Sequence, residues 1–189
     1  LYTRIVSGLG TLAYAAHTIA INVESLSFMP GFGFSIAATT LIGQNLGANR
    51  PDVAERSGYE SVKIGMLFMG AVGLILFFFP GVFVRLYTDD PEVTRMAVQV
   101  LRIVAISQPP MAAAFIFAGG LRGAGDTRWV MIITSASVWI VRLGLAYLLA
   151  ITLNWQLVGA WIAMTVELFV RGTAIALRYR TGRWKKLKV

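Results

Sequence analysis

The chain contains no cysteine and a single histidine, His17. Without cysteine neither a disulfide framework nor a thiolate metal site can form, and one imidazole cannot build a histidine metal site. Charge is scarce as well, at 14% Asp, Glu, Lys and Arg, well under the usual quarter of a globular chain. No GxSxG elbow, phosphate loop or HExxH helix is present, and no paired acids or nucleophile–base pair stands out, so no enzyme is expected.

Apolar residues fill the chain instead, at 57%, with a mean hydropathy of +0.69. Uncharged runs extend over Ile64–Val84, Ile103–Leu121 and Leu143–Val166, and no side chain from Ser25 to Asn49 is charged. A soluble α/β core would interrupt such runs with polar loops. About 20 apolar residues at ~1.5 Å each cover the ~30 Å hydrocarbon core of a bilayer. The expected fold is therefore all-α, a polytopic transmembrane helix bundle with five complete spans at about 11–43, 64–86, 93–119, 128–153 and 157–179. Residues 1–180 would form a single transmembrane lobe and 181–189 a basic tail. Leu1–Leu9 reads as the end of a helix whose start is missing, followed by a turn at Gly8 and Gly10, and the chain is expected to be a C-terminal piece of a longer protein.

Between the spans, Asn49–Glu60 reads as a polar connection holding a short amphipathic helix with Pro51 in its first turn. Asp90, Pro91 and Glu92 read as N-cap, first helical residue and acidic first turn. The Pro109–Pro110 pair should break or kink the third span. Asp126 and Thr127 resemble a cap before the fourth span, and Asn154–Gln156 a tight turn before the fifth.

Lys and Arg set the orientation, since acids weigh little. Arg50, Arg56, Lys63, Arg122, Arg128 and six tail residues (Arg178, Arg180, Arg183, Lys185, Lys186, Lys188) make eleven on alternate connections, against two, Arg85 and Arg95, on the others. The first and third connections and the tail should be cytoplasmic in a cell membrane. A net charge of +8 raises nucleic acid as a partner, but a tail touching anionic lipid suits a run that follows five hydrophobic helices, with Trp184 at the membrane interface.

Glu24 lies ~20 Å from Thr11 along the first span, near mid-membrane. A lone carboxylate there is costly, and one that occurs faces a cavity or a partner and serves transport. Pro30, followed by Gly31 and Gly33, removes a backbone donor and bends the helix, freeing carbonyls one turn earlier beside Glu24. Asn22 and Ser27 complete a candidate cation- or substrate-binding set with it. The competing reading is a structural acid bonded to Ser25, Ser27 or Asn22. His17, near the helix start, reads as an interfacial, solvated histidine rather than a proton shuttle. Arg142 and Glu167 lie at equal distance, ~18–20 Å, from the Asn154 turn and are expected to pair within the membrane. Glu167 with Arg171, one helical turn on, is the local alternative. Gly43 with Gly47 and Gly119 with Gly123 have the spacing of close helix crossings.

The stretch FMPGFGFSIAATTLIGQNLGA (Phe28–Ala48) together with GGLRGAGDTR (Gly119–Arg128) resembles the multidrug and toxin extrusion (MATE) family. The resemblance covers nearly the whole chain and implies the second of two six-helix lobes, from the end of helix seven to helix twelve. It implies export of small organic cations and drugs by alternating access, driven by H+ or Na+ entry, with no other cofactor and no resident metal. It gives Glu24 the role of a helix-eight glutamate in the substrate path. It implies partners in membrane lipid and in a missing N-terminal lobe, and a cytoplasmic loop motif of Arg122, Gly123, Gly125, Asp126, Thr127 and Arg128. Where some members carry a functional aspartate in helix ten, this chain has Ser107, Gln108 and Pro109. The alternatives are a lipid-linked sugar flippase of the same superfamily, which needs Arg102 and Arg142 to face the lobe interface, and a non-transporting membrane interaction subunit.

Overall fold

The computed structural model describes residues 2–187; Leu1 and Lys188, the last cation of the basic run, lie outside the described residues. The described chain is helical throughout, with no strand. A short α1 (Tyr2–Ser7) leads through a turn into α2 (Thr11–Gly47), and then come α3 (Pro51–Phe78), α4 (Pro80–Val84), α5 (Pro91–Ala105), α6 (Gln108–Gly123), α7 (Thr127–Thr152) and α8 (Gln156–Arg180). Four of these are long and apolar enough to cross a membrane, and α5 with α6 is long and apolar enough only when taken together, with a 55° bend between them.

Local chemistry explains most of the boundaries. Gly10, at φ 108°, takes a backbone conformation that side chains disfavour, and it separates α1 from α2. Asp90 caps α5 by accepting from the backbone N–H groups of Glu92 and Val93, with Pro91 at the first helical position. Pro91 has no N–H of its own to satisfy, so the cap meets the free donors of the first turn. Asn154, at φ 56°, reverses the chain between α7 and α8.

Several expectations change. The polar connection does not hold a separate helix, because α3 runs unbroken for 28 residues from Pro51 into the membrane. Nothing from Asp52 to Ser61 breaks a helix, so the amphipathic turn simply continues. The second span stops at Phe78 and resumes as the five-residue α4, since Pro80 cannot donate to the preceding turn. The third span breaks at Ile106–Ser107, before the proline pair, which occupies the first turn of α6 where missing donors cost nothing. In α2, the helix continues for 37 residues through Pro30 to Gly47.

Within α7 the backbone loosens to π-helix at Ser137–Arg142 and again at Tyr147–Thr152. Such bulges rotate the side chains that follow them, and here the first ends on Arg142.

Close crossings hold the helices together. A Cβ on Gly119 or Gly123 would run into the Ser35 or Thr39 carbonyl of α2, and one on Gly43 would lie 3.2 Å from the Gly123 carbonyl. The same approach lets Ser35 Oγ donate to Phe115 O at 2.8 Å and Thr39 Oγ1 to Gly119 O at 2.9 Å. Gly47 has open space around it and takes no part. The α2–α6 seam is therefore built from backbone contact plus hydroxyl bonds.

Candidate functional site

The buried face of α2 carries Ala13, Ala16, His17, Ala20, Val23, Glu24, Ser27 and Gly31. Small residues at helical spacing let α1 and α5 pack close, and side chains of α8 reach the same face, so the two ionisable groups on it are enclosed. Glu24 is 5% exposed. The serines do not bond its carboxylate: Ser27 Oγ donates to the Glu24 main-chain carbonyl at 2.7 Å, and Ser25 Oγ to that of Asn22 at 2.6 Å. Asn22 itself is exposed. Gly31 backs onto α3, where a Cβ would sit 2.7 Å from Met69 Sδ, while Gly33 faces open space. Pro30 leaves the Leu26 carbonyl without its helical donor, half a turn beyond Glu24.

Across from Glu24 lies a cluster of charge. Arg142 Nη2 donates to Glu167 Oε2 at 2.6 Å, and Arg171 Nε stands 3.2 Å from Glu167 Oε1. The second contact is close enough to attract but is not aligned as a hydrogen bond. Both candidate partners of Glu167 are thus present together, and Glu167 is fully buried between them. Two arginines on one glutamate leave a positive charge over. Arg142 is the cation whose field reaches Glu24, so an ionised Glu24 brings Glu24, Arg142, Glu167 and Arg171 to neutrality. A neutral Glu24 leaves the cluster at +1, a state that low-dielectric surroundings penalise.

Tyr2 and Trp161 complete the enclosure. The guanidinium of Arg142 lies 6.0 Å from the Tyr2 ring centre, and Tyr2 Oη donates to Ala160 O at 2.9 Å. The His17 ring sits between Tyr2, at 5.9 Å, and Trp161, at 5.6 Å. At 7% exposure His17 is not the solvated interfacial residue expected of its place near the helix start. Depth along α2 predicts exposure only where no neighbour covers the side chain, and α1 and α8 cover this one. The sequence does not single out either residue, because Tyr2 lies on a separate helix without charge and Trp161 is one aromatic among many that could stack on a cation.

At the α5–α6 break, Ser107 and Gln108 are fully buried. Ser107 Oγ donates to Val104 O at 2.7 Å, and the Gln108 side chain presses against Gly73. The outward face of α5 is polar instead: Glu92, Arg95, Gln99 and Arg102 recur at helical spacing, all exposed.

The loop motif works as an anchor. Asp126 stands at the cap position of α7 but makes no capping bond. Its Oδ2 accepts from Arg178 Nε at 2.8 Å, and the guanidinium covers the Trp129 ring at 5.0 Å. A charged donor outcompetes a backbone N–H for a buried carboxylate. Gly125, at φ 80°, makes the turn, while Arg122, Thr127 and Arg128 are exposed. The tail folds back as well. Gly182, at φ 65°, turns it into a short 3₁₀ segment, Arg183–Lys186. Trp184 is fully buried, stacks on Tyr179 at 4.7 Å and donates through Nε1 to Tyr179 O at 2.7 Å. It is a core residue and not an interfacial anchor. Lys185 binds Glu55 at 2.5 Å, so two tail cations, Arg178 and Lys185, spend their charge on the protein itself.

The model of the MatE family matches residues 1–148. The chain is 36% identical over its whole length to the probable multidrug resistance protein NorM of Thermotoga maritima, covering 41% of that protein. It is 34% identical over 93% of its length to the multidrug resistance protein MdtK of Yersinia pestis, covering 39% of it. The chain thus spans about two fifths of the length of these curated relatives. Its fold is similar to that of the eukaryotic MATE transporter AtDTX14, with a TM-score of 0.88 and 24% identity over 93% of this chain and 39% of that one.

Proposed function

The chain belongs to the MatE family of membrane transporters, and on that premise we propose that it forms the second lobe of a multidrug antiporter. In this reading the full protein exports small organic cations and drugs by alternating access, in exchange for H+ or Na+. The observation that supports it most is Glu24, a carboxyl group enclosed within a spanning helix and balanced by a cluster that is one positive charge in excess. A cationic substrate and the coupling ion would compete for that one charge site, and their exchange would shift the inward and outward populations.

The exposed polar face of α5 and the exposed Asn22 of α2 would meet the first lobe, because Arg102 and an asparagine facing acyl chains would be expensive. The connections and tail rich in Lys and Arg would lie in the cytoplasm, the Asn154 turn outside. The test is ethidium efflux from vesicles carrying the full-length protein, driven by an imposed proton or sodium gradient. Glu24→Gln should abolish the gradient dependence; gradient-driven flux at the unaltered rate would refute the reading.

A second reading has one observation in its favour, the exposed Arg95 and Arg102. They suit a lipid-linked pyrophosphate, as in a flippase. Arg142, held against Glu167, does not add to them. Under that reading Arg102→Ala would remove flux of the anionic lipid, and ethidium would not move.

A further inference from the structure

At the end of the lobe away from the tail, a 440 Å³ pocket opens between α2, α5 and α8, lined by Thr11, Ala13, Glu92, Arg95, Gln99 and Leu157 among others. The enclosed cluster begins one helical turn further in, past the buried Ala13 and Leu157. His17 lies one helical turn below Ala13 on α2, and Trp161 one turn below Leu157 on α8. One turn further on α8 is Thr165; two turns below His17, ~10 Å on, is Glu24. Along this line four polar atoms are sealed from solvent with no protein partner: His17 Nδ1, Trp161 Nε1, Thr165 Oγ1 and Arg142 Nε.

A buried polar atom without a partner costs ~1–3 kcal/mol, and proteins rarely leave several together. Water is the usual remedy where the site is polar and has two or more partners to offer. Here acceptor and donor atoms alternate, an imidazole and a hydroxyl beside an indole and a guanidinium N–H. We propose that this seam between α2 and α8 is a water-filled proton route from the outer pocket to Glu24, with His17 as its relay. The proposal rests on the reading of Glu24 as the coupling acid.

In such a route a proton taken up at one imidazole nitrogen is matched by one released from the other, which leaves His17 neutral in its other tautomer, and a ring flip resets it for the next proton. The charged and titratable groups around it are Tyr2 of α1, Glu24 of α2 itself, Glu92 and Arg95 of α5 at the pocket rim, Arg142 of α7, and Glu167 and Arg171 of α8 beyond Trp161. Arg142 and Arg171 would keep a free cation from lingering in the seam, which favours proton hopping over passage of sodium.

Two measurements on the full-length protein test this. Hydroxyl-radical footprinting by X-ray radiolysis labels side chains that touch water. Trp161 is 0% exposed, and Trp155 at the pocket mouth is 51% exposed. The route predicts labelling of Trp161 within a few-fold of Trp155, and its reduction in Thr165→Val. An unlabelled Trp161 means a dry seam and overturns the route. In vesicles, His17→Gln and Thr165→Val should each slow proton-driven ethidium efflux by about tenfold or more. Ethidium counterflow, which needs no net proton movement, should stay at the wild-type rate. Wild-type efflux in both variants overturns the route while leaving Glu24 as the coupling acid. If Glu24→Gln keeps its proton-driven efflux, the coupling reading fails, and the footprint still reports whether the seam holds water.

Discussion

A carboxyl group in hydrocarbon is tolerable in two states, ionised beside a cation or protonated and neutral. Glu24 has both within reach, since Arg142 supplies the cation and no serine or amide fixes the ionised form. The same accounting ranks the neighbours. Glu167 is the only acid touching Arg142 and Arg171 among the described residues. Glu167→Gln leaves two partly buried arginines unpaired and should cost about 3–5 kcal/mol. Arg142→Gln should cost clearly less, because Arg171 still faces Glu167. Thermal unfolding of the full-length protein in detergent reads the order; equal losses would contradict it. At the surface, Glu55 holds the Lys185 ammonium above its ordinary pKa through their hydrogen bond. Folded-state stabilisation of that charge is fully present below the ordinary lysine value, 10.5, and is lost as pH rises through the raised one. Lys185→Met should therefore narrow the stability difference between neutral and strongly alkaline pH, as followed by Trp fluorescence.

Helix seams turn on single atoms. Gly123→Leu would force α6 off the Thr39 backbone of α2, a main-chain contact that cannot yield as a side chain can. We expect a loss above about 3 kcal/mol, beyond ordinary overpacking, seen as a lowered melting temperature and loss of folded protein. Trp184→Ala should cost about 3–5 kcal/mol for the opposite reason, the cavity left by a large buried side chain. A melting temperature within a degree or two of wild type would show that the tail is peripheral.

These elements also show what was readable beforehand. The spans follow from uncharged length, and the Asp90 cap from three adjacent residues. Counting from the Asn154 turn puts Arg142 and Glu167 at one depth, and the structure sets them 2.6 Å apart. Counting gives no view of what covers a side chain, however. His17 is buried by Tyr2 and Trp161, Trp184 by a tail reversal at Gly182, and Asp126 is drawn from its cap by Arg178 of a distant helix. The π turns of α7 left no mark in the sequence; both stretches pack against α8.

As a whole molecule, the lobe encloses the two acids within its spans, Glu24 and Glu167, and leaves two arginines of α5, Arg95 and Arg102, uncovered. Under the proposed function, that exposed polar face would be covered by the other lobe for part of the transport cycle. Cysteines placed at Asn22 or Arg102 in the full-length protein should react with a polar thiol reagent and be protected by substrate. Reaction with lipid-confined reagents alone would place this face in the bilayer.

The central claim is that substrate and coupling ion compete for one carboxyl group. Ethidium affinity of the purified full-length protein, titrated against pH and against sodium, tests it most directly. The account predicts that acidification or sodium weakens binding about tenfold, as shared-site linkage requires, and that Glu24→Gln binds weakly and responds to neither. A Glu24→Gln protein that binds ethidium as tightly as wild type, and loses it to acid or sodium in the same way, would contradict it.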